Sequence, residues 1–295
     1  MTITVLDTAP AIRRIVTAPP AARPDLLRAM VEPARGLYRY FPGEVDVVAM
    51  HGMSFGFPLD RDEDQILDAL GRLEEAGAWA RIEKALEDAV RLQSGSLAGV
   101  NVPDITVLFV LGDPGDAYFR HTVGGFSGNG SVTGYISLTL WPTAENLARL
   151  EATAVHELNH NLRYAPGGVV WDPATVAVGE QIVSEGLADA FARQMYGPEL
   201  GYTAMGVPHL NDDEVFAKVL EGLGITGMQN FVSWVHGDAA AQRFGGTPVG
   251  LPTGAGYAVG NRLVDAYLAE TGQNAAQALY APSDTIIRTA LRLLQ

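Results

Sequence analysis

A short segment of the chain carries residues whose types and spacing could perform metal chemistry. The sequence HELNH at residues 156–160 has two histidines four positions apart and a glutamate directly after the first. Residues i and i+4 of an α-helix are neighbours on its surface, so His156 and His160 could bind one tetrahedral metal ion. Glu157 lies beside this pair, where it could accept a proton from a water on the metal. The alternative is an ordinary helix that carries two histidines.

The residues around this segment predict the helix that such a site requires. Pro142, Thr143 and Glu145 are typical of a helix start, and we expect the helix to run from residue 144 to 164. On a helical wheel of about 100° per residue, the two histidines lie opposite the apolar side. That side consists of Leu147, Leu150, Ala154, Leu158 and Leu162. We therefore expect one side of the helix to pack on a core while the histidines face a cleft.

A second helix, predicted from Ala177 to Tyr196, offers the third protein ligand that a zinc hydrolase site needs. Glu185 could complete the metal site, although an exposed surface acid is the alternative. Asp189, one turn later on the same face, could accept a hydrogen bond from a ligand imidazole. Glu180 competes as the ligand, but it projects to nearly the opposite side of the helix. The apolar side consists of Leu187, Phe191 and Met195.

The two helices together resemble a known family. HELNH, a spacer and then VSEGLADAFA resemble the gluzincin branch of the zincin metallopeptidases. More closely, they resemble a bacterial family of predicted Zn-dependent proteases with a domain of unknown function. The resemblance implies that the zinc ligands are His156, His160 and Glu185. It also implies that Glu157 is the general base and that Asp189 stands one turn after the third ligand.

This resemblance extends over roughly residues 105–269 and implies a fold. We expect a zincin-like α+β structure with a small, mainly antiparallel sheet, the HExxH helix and a mainly helical C-terminal half. The segment GNGSVTGYISLTL (residues 128–140) stands where the family has an antiparallel edge strand. An extended peptide can add itself to such an edge through backbone hydrogen bonds. The 25 positions from His160 to Glu185 are somewhat more than in the best-known gluzincins.

A peptidase also needs a hydrogen-bond donor for the oxyanion that forms on attack, and zincins often take it from a later Tyr or His. Tyr257, in GAGYAVGNRL, is the first candidate because the resemblance includes a similar Gly-Tyr turn. His236, in SWVHGD, is the second. The glycine-rich run GGFSGNG at residues 124–130 lacks the lysine of a phosphate-binding loop and precedes a strand, so we assign no ligand to it.

Composition excludes several classes of function. The chain has 295 residues and no cysteine, so a transition-metal site must use His, Asp or Glu. Its net charge of −14 argues against a nucleic-acid partner, since phosphate backbones attract Lys and Arg. The N-terminus lacks the pattern of a secretory signal, and no apolar run reaches the roughly eighteen residues of a membrane span. We therefore expect no membrane partner and a cytoplasmic location.

Hydrophobic patterns indicate an α+β chain with two regions. Residues 60–93 have helical spacing, with a break at Gly77. Ile105–Gly112 is a short apolar run that is typical of a buried strand, and Ser131–Leu140 is typical of a second strand. We predict a mainly helical region at residues 1–100, followed by a zincin-like metallopeptidase domain at residues 101–295. Nothing in the sequence indicates an oligomeric state.

These observations predict a zinc-dependent metallopeptidase whose substrate is a peptide or protein. The main alternative is a catalytically inactive metal-binding or protein-interaction module on a zincin scaffold, because similarity of fold does not establish a reaction. Glu157 speaks against that alternative, since a pure metal binder does not need this acid. Two further alternatives are a helix without metal, in which HELNH pairs with Asp189, and a hydrolase that acts on a small amide.

Overall fold

The computed structural model describes residues 2–41 and 43–294. It is α+β, with 60% helix and one small sheet. The strands are β1 (Ile3–Val5), β2 (Ile105–Leu111), β3 (Phe126–Asn129) and β4 (Tyr135–Leu140). The helices are α1 (Ala9–Thr17), α2 (Arg23–Val31), α3 (Val47–Met53), α4 (Glu63–Glu75), α5 (Ala78–Ser96), α6 (Ala144–Arg163), α7 (Val178–Tyr196), α8 (Pro198–Gly201), α9 (Asp213–Leu220), α10 (Asp238–Phe244), α11 (Ala255–Thr271) and α12 (Ser283–Leu294). None of the helices in these ranges combines the length and the apolar character needed to cross a membrane.

The four strands form one mixed sheet in the order β1-β2-β4-β3. β2 is parallel to both of its neighbours, and only β3 and β4 are antiparallel. The prediction of a mainly antiparallel sheet was therefore wrong. Parallel strands need long crossover connections, and helices α1 to α5 provide one between β1 and β2. The almost continuous burial of β2 fits its place between two parallel neighbours.

Of the two antiparallel strands, β3 lies at the edge of the sheet. The strand that directly precedes helix α6 does not. That preceding strand, β4, lies inside the sheet between β2 and β3. In the antiparallel pair, Phe126 faces Leu140 and Asn129 faces Ser137. The sequence predicted an antiparallel edge strand before the helix, and β3 is such a strand. The predicted segment at residues 128–140, however, includes only the end of β3.

The chain forms two compact units. The first comprises Met1–Val90 and Val102–Asn161, and the second comprises Arg91–Asn101 and Leu162–Gln295. Because β1 pairs with β2, the N-terminal segment belongs to the same unit as that strand. The predicted domain boundary at residue 100 stays a prediction. As the sequence indicated, Gly77 separates two helices, α4 and α5. Its own φ is positive, at 62°.

Two buried helices cross in the second unit, and their backbones touch. A Cβ atom on Gly186 of α7 would overlap the carbonyl group of Gly260 on α11. A Cβ atom on Gly260 would likewise overlap the carbonyl oxygen of Ile182. Only glycine allows helices to approach this closely. The glycine of the EGLA segment is therefore a packing residue, and it fixes the position of its neighbour Glu185 relative to α11.

Candidate metal centre

Helix α6 carries the HELNH segment and matches the prediction in its bounds. It runs from Ala144 to Arg163, against the expected 144–164. The hydroxyl of Thr143 accepts a hydrogen bond of 3.1 Å from the backbone N–H of Asn146, which satisfies one of the free donors at the helix start. His156, Glu157 and His160 are all less than a tenth exposed. Their side chains are therefore held within the protein and do not lie on a solvated helix face.

The two histidines present their ring nitrogens to one point. The Nε2 atoms of His156 and His160 are 3.1 Å apart. Two nitrogens bound to the same tetrahedral zinc ion at about 2.0–2.1 Å would be separated by roughly 3.3 Å. The spacing between the rings is therefore close to that of a pair of zinc ligands.

Glu185 completes a set of three potential metal ligands. One ligand atom from each of His156, His160 and Glu185 lies within 4.8 Å of the other two, and all three residues are buried. Two imidazoles and one carboxylate form a donor set that zinc takes in hydrolases, with the fourth position left for water. The residues present therefore fit a zinc ion.

Glu180, the competing ligand in the sequence, is engaged elsewhere. Its carboxylate accepts hydrogen bonds from Arg163 Nε (2.8 Å) and Arg163 Nη2 (2.9 Å), and a third from the Tyr164 hydroxyl (3.1 Å). Arg163 has no exposed surface, and its Nη1 also donates to the carbonyl oxygens of Leu279 and Ala281. These interactions hold Glu180 away from the histidines, and Glu185 is the acid of α7 that lies with His156 and His160.

Asp189 is buried one turn after Glu185 and fixes the surroundings of α7. Its carboxylate accepts hydrogen bonds from the backbone N–H of Thr203 (3.0 Å), the Thr203 hydroxyl (2.8 Å) and Asn261 Nδ2 (2.7 Å). These bonds connect α7 to α11, the helix that carries Tyr257. The predicted hydrogen bond from a ligand imidazole to Asp189 stays a prediction.

The two candidate oxyanion donors lie together. The Tyr257 hydroxyl and His236 Nε2 are 3.2 Å apart and share a hydrogen bond. His236 ends a π-helical turn at Val232–His236, a rare geometry that is frequent at functional sites. Burial lowers the pKa of His236 below its usual range, although the charge of Glu185 opposes this shift. Each residue could donate a hydrogen bond, and the choice of Tyr257 before His236 as the oxyanion donor stays a prediction.

Sequence reasoning missed the residues that cover Glu157. Strand β3 lies so close to this side chain that a Cβ atom on Gly128 would overlap its carboxylate, and one on Gly130 would overlap its backbone carbonyl. Asn161, one turn further along α6, holds the turn that follows β3. A signal was available, because glycine inside a strand often marks the close approach of another group. The sequence places Gly128 and Gly130 at the start of the predicted edge strand, but it does not indicate that the strand lies against Glu157.

Comparisons with known proteins agree with this centre. A family model described as "Predicted Zn-dependent protease (DUF2268)" matches residues 78–288. The uncharacterized protein YjfC of Bacillus subtilis (strain 168) is 28% identical over 247 residues, which are 83% of this chain and 81% of that protein. No solved structure matches the chain. The matched range includes α6, α7 and α11, and therefore every candidate residue of the centre.

Proposed function

Because the chain belongs to this family of predicted Zn-dependent proteases, we propose that it is a zinc metallopeptidase of the gluzincin type. The observation that carries the proposal is the buried group of His156, His160 and Glu185. A carboxylate directly after the first histidine adds the base that a hydrolase requires and a metal store does not.

In this proposal, His156, His160 and Glu185 hold the ion. When bound by these residues, zinc would supply a water whose pKa is lowered towards about 7 and a positive charge that polarises the scissile carbonyl. Glu157 accepts the proton of the attacking water and then delivers it to the leaving amine. Glu157 is only 7% exposed. This burial restricts the movement of its carboxylate and the access of bulk water to it.

Tyr257 is the proposed donor to the oxyanion, and His236 supports it. The hydrogen bond of 3.2 Å between the Tyr257 hydroxyl and His236 Nε2 restricts the direction of the phenol. A donor held before the reaction loses little free energy to reorganisation when negative charge develops on the substrate oxygen. A neutral His236, which its burial favours, can accept the phenol proton in this bond or donate a proton of its own.

The proposed substrate is a peptide or a segment of a protein. Strand β3 is at the sheet edge, where an extended peptide can pair through backbone hydrogen bonds, whatever its sequence. The same strand lies against Glu157, so a peptide paired with β3 would pass close to the proposed base. We retain the sequence-based expectation that the protein works in the cytoplasm, which fractionation of cells would test.

The first experiment measures the metal content of the protein, purified without added metal, by mass spectrometry. We expect about one zinc per chain in the wild type, as for a site with three protein ligands, and none in His160→Ala. A screen of peptide libraries would then compare the wild type with Glu157→Gln. We expect the variant to retain zinc and to lose turnover by at least about 100-fold, as on removal of a general base.

Three outcomes would contradict the proposal. The absence of zinc, both after purification and after titration, would reduce HELNH to an ordinary helix. Full turnover in Glu157→Gln would exclude this mechanism. Stoichiometric zinc without cleavage of any peptide would favour the inactive metal-binding module.

A further inference from the structure

A glycine-lined strand covers the proposed general base. Strand β3 pairs with β4 so that Gly128 faces Leu138 and Asn129 faces Ser137. A Cβ atom on Gly128 would overlap the end of the Glu157 side chain and would be 2.8 Å from its Cγ. Ordinary contacts of this kind begin near 3.4 Å. The backbone of β3 therefore forms one wall of the space that the Glu157 carboxylate occupies.

The next glycine confirms how close the two elements are. A Cβ atom on Gly130 would overlap the backbone carbonyl of Glu157. Strand β3 ends at Asn129, but an added Cβ atom at Gly128 or at Gly130 would point at Glu157, so both glycines face α6. A side chain at position 128 would meet the flexible end of Glu157, whereas one at position 130 would meet the rigid helix backbone. The space available to the Glu157 carboxylate therefore depends on the glycine at position 128.

Asn161 holds the strand in this place. Its Nδ2 lies 2.9 Å from the carbonyl oxygen of Gly130, 3.1 Å from that of Val132 and 2.8 Å from that of Tyr135. Its Oδ1 accepts a hydrogen bond of 2.9 Å from the backbone N–H of Gly134. A fully buried amide that uses both its donors and its acceptor stabilises one arrangement of the turn.

The spacing along α6 connects the two features. Asn161 follows Glu157 by four positions, so the two side chains leave the same face of the helix. The turn between β3 and β4 is attached to Asn161, and the strand that leads into this turn lies on Glu157. Movement of the turn would therefore move the wall beside the carboxylate.

We propose that Gly128 and Asn161 are positioning residues for Glu157, an inference that rests on the proposed role of Glu157 as the base. Asn161 anchors the turn after β3 on helix α6, and Gly128 allows the strand backbone to set the orientation of the carboxylate. Because the same strand lies at one edge of the sheet, the surface that would receive a peptide also aligns the base. Misplacement of a reacting group by about 1 Å can lower a rate by roughly 100-fold, so such an arrangement has a measurable effect.

The first test uses Gly128→Ala in the full-length, zinc-loaded protein. The new Cβ displaces the end of the Glu157 side chain. We expect kcat for a peptide that the wild type cleaves to fall by about 10- to 100-fold, with KM and zinc content within about twofold. The matched control is Gly71→Ala, since Gly71 has no neighbour within 4 Å of an added Cβ, and its kcat should equal that of the wild type. A Gly128→Ala protein with wild-type kcat would overturn the proposal.

A second test measures the contact without any activity. We compare the unfolding midpoints of the wild type, Gly128→Ala, Glu157→Ala and the double variant. Removal of the Glu157 side chain should relieve the overlap, so Gly128→Ala should lower the midpoint only when Glu157 is present. Equal shifts in both backgrounds would mean that no contact exists and would overturn the proposal.

A third test concerns Asn161. Asn161→Ala should accelerate amide hydrogen exchange in residues 126–135 by at least about tenfold, because the turn loses its anchor, and should lower kcat without loss of zinc. Asn161→Ser offers a milder change if the alanine variant does not fold. Faster exchange with wild-type kcat would show a purely structural role and overturn the assignment of Asn161. A wild type that cleaves no peptide would instead refute the proposed function, and the unfolding midpoints would still decide whether Gly128 contacts Glu157.

Discussion

Arg163 and Glu180 form a buried, two-pronged ion pair, with Arg163 Nε 2.8 Å from Glu180 Oε1 and Nη2 2.9 Å from Oε2. Arg163 is three residues after His160, and Glu180 is five residues before Glu185. The pair therefore joins the last turn of α6 to the first turn of α7, close in sequence to two of the proposed zinc ligands.

Removal of one partner from this pair should destabilise the protein strongly. Arg163→Met leaves the Glu180 carboxylate buried without its counter-charge, which typically costs about 3–5 kcal/mol. Arg163→Met/Glu180→Leu removes both charges and should recover part of that loss. The measurement is the free energy of unfolding in urea. The control is Arg28→Met, which breaks the exposed pair with Asp25 and should cost about 1 kcal/mol at most. An equal loss in the single and double variants would contradict the role of the buried charge.

A buried histidine outside the metal centre should make the stability depend on pH. Burial lowers the pKa of His51 to about 4. The hydrogen bond from Nε2 to the Phe57 carbonyl oxygen, 2.9 Å away, acts in the opposite direction and raises this pKa. The pKa of His51 is lower in the folded chain than in the unfolded chain, so the unfolded chain binds a proton on this residue first as the pH falls. The contribution of His51 to the free energy of unfolding should therefore be fully present above about pH 6.5. It should decrease by roughly 3 kcal/mol as the pH falls to 4.

This prediction can be checked by urea unfolding at a series of pH values. His51→Gln should have a flatter profile between pH 6.5 and 4 than the wild type, because it removes the group that takes up the proton. His121, which is exposed, provides the comparison His121→Gln, and that profile should retain the wild-type slope. Parallel profiles for the wild type and His51→Gln would exclude His51 as the source.

The crossing of α7 and α11 predicts a strict requirement for small residues. Gly186→Ala places a methyl group against the Gly260 carbonyl, and we expect a loss of about 1–3 kcal/mol through overpacking. Because Gly186 adjoins Glu185, the affinity for zinc should fall as well. Thermal unfolding and zinc titration are the two measurements. Gly224→Ala is the matched control, since nothing lies within 4 Å of its added Cβ; equal effects of the two substitutions would rule out the crossing as the cause.

Metal binding should stabilise the folded chain through the proposed third ligand. Free zinc at about 100 times its Kd would add roughly 2.7 kcal/mol if only the folded chain binds it, so a chelator should lower the unfolding temperature of the wild type. Glu185→Gln should weaken zinc binding and reduce this chelator effect. The comparison with Asp172→Asn, an acid of the loop between α6 and α7, controls for the change in charge. An unchanged chelator effect in Glu185→Gln would exclude Glu185 as a ligand.

The sequence predicted the helices of the centre well because their signals are local. The start of α6 at Ala144 and its end at Arg163 differ from the expected bounds by at most one residue, and α7 begins one residue later than expected. Helical periodicity and the Pro-Thr start lie within a few turns of sequence. The separation of Glu180 from Glu185 by helix phase also agrees with the ion pair that Glu180 forms with Arg163.

The arrangement of the sheet was missed because strand pairing depends on residues far apart in sequence. β1 pairs with β2 across about a hundred positions, and three residues at the N-terminus give no periodic signal that would predict it. The unbroken apolar run of β2 is typical of a strand with parallel neighbours, whereas the resemblance implies a mainly antiparallel sheet. The role of Asn161 depends on a turn some thirty positions earlier, which no local pattern reveals.

The Arg163–Glu180 pair has a consequence for the length of the loop that connects α6 and α7. It closes the two ends of the loop at residues 164–177, and Val170 in that loop is 87% exposed. Exposed loops with fixed ends tolerate insertions and deletions at little cost. The number of residues between HELNH and the glutamate of EGLA should therefore vary among relatives while the ends of the two helices stay together.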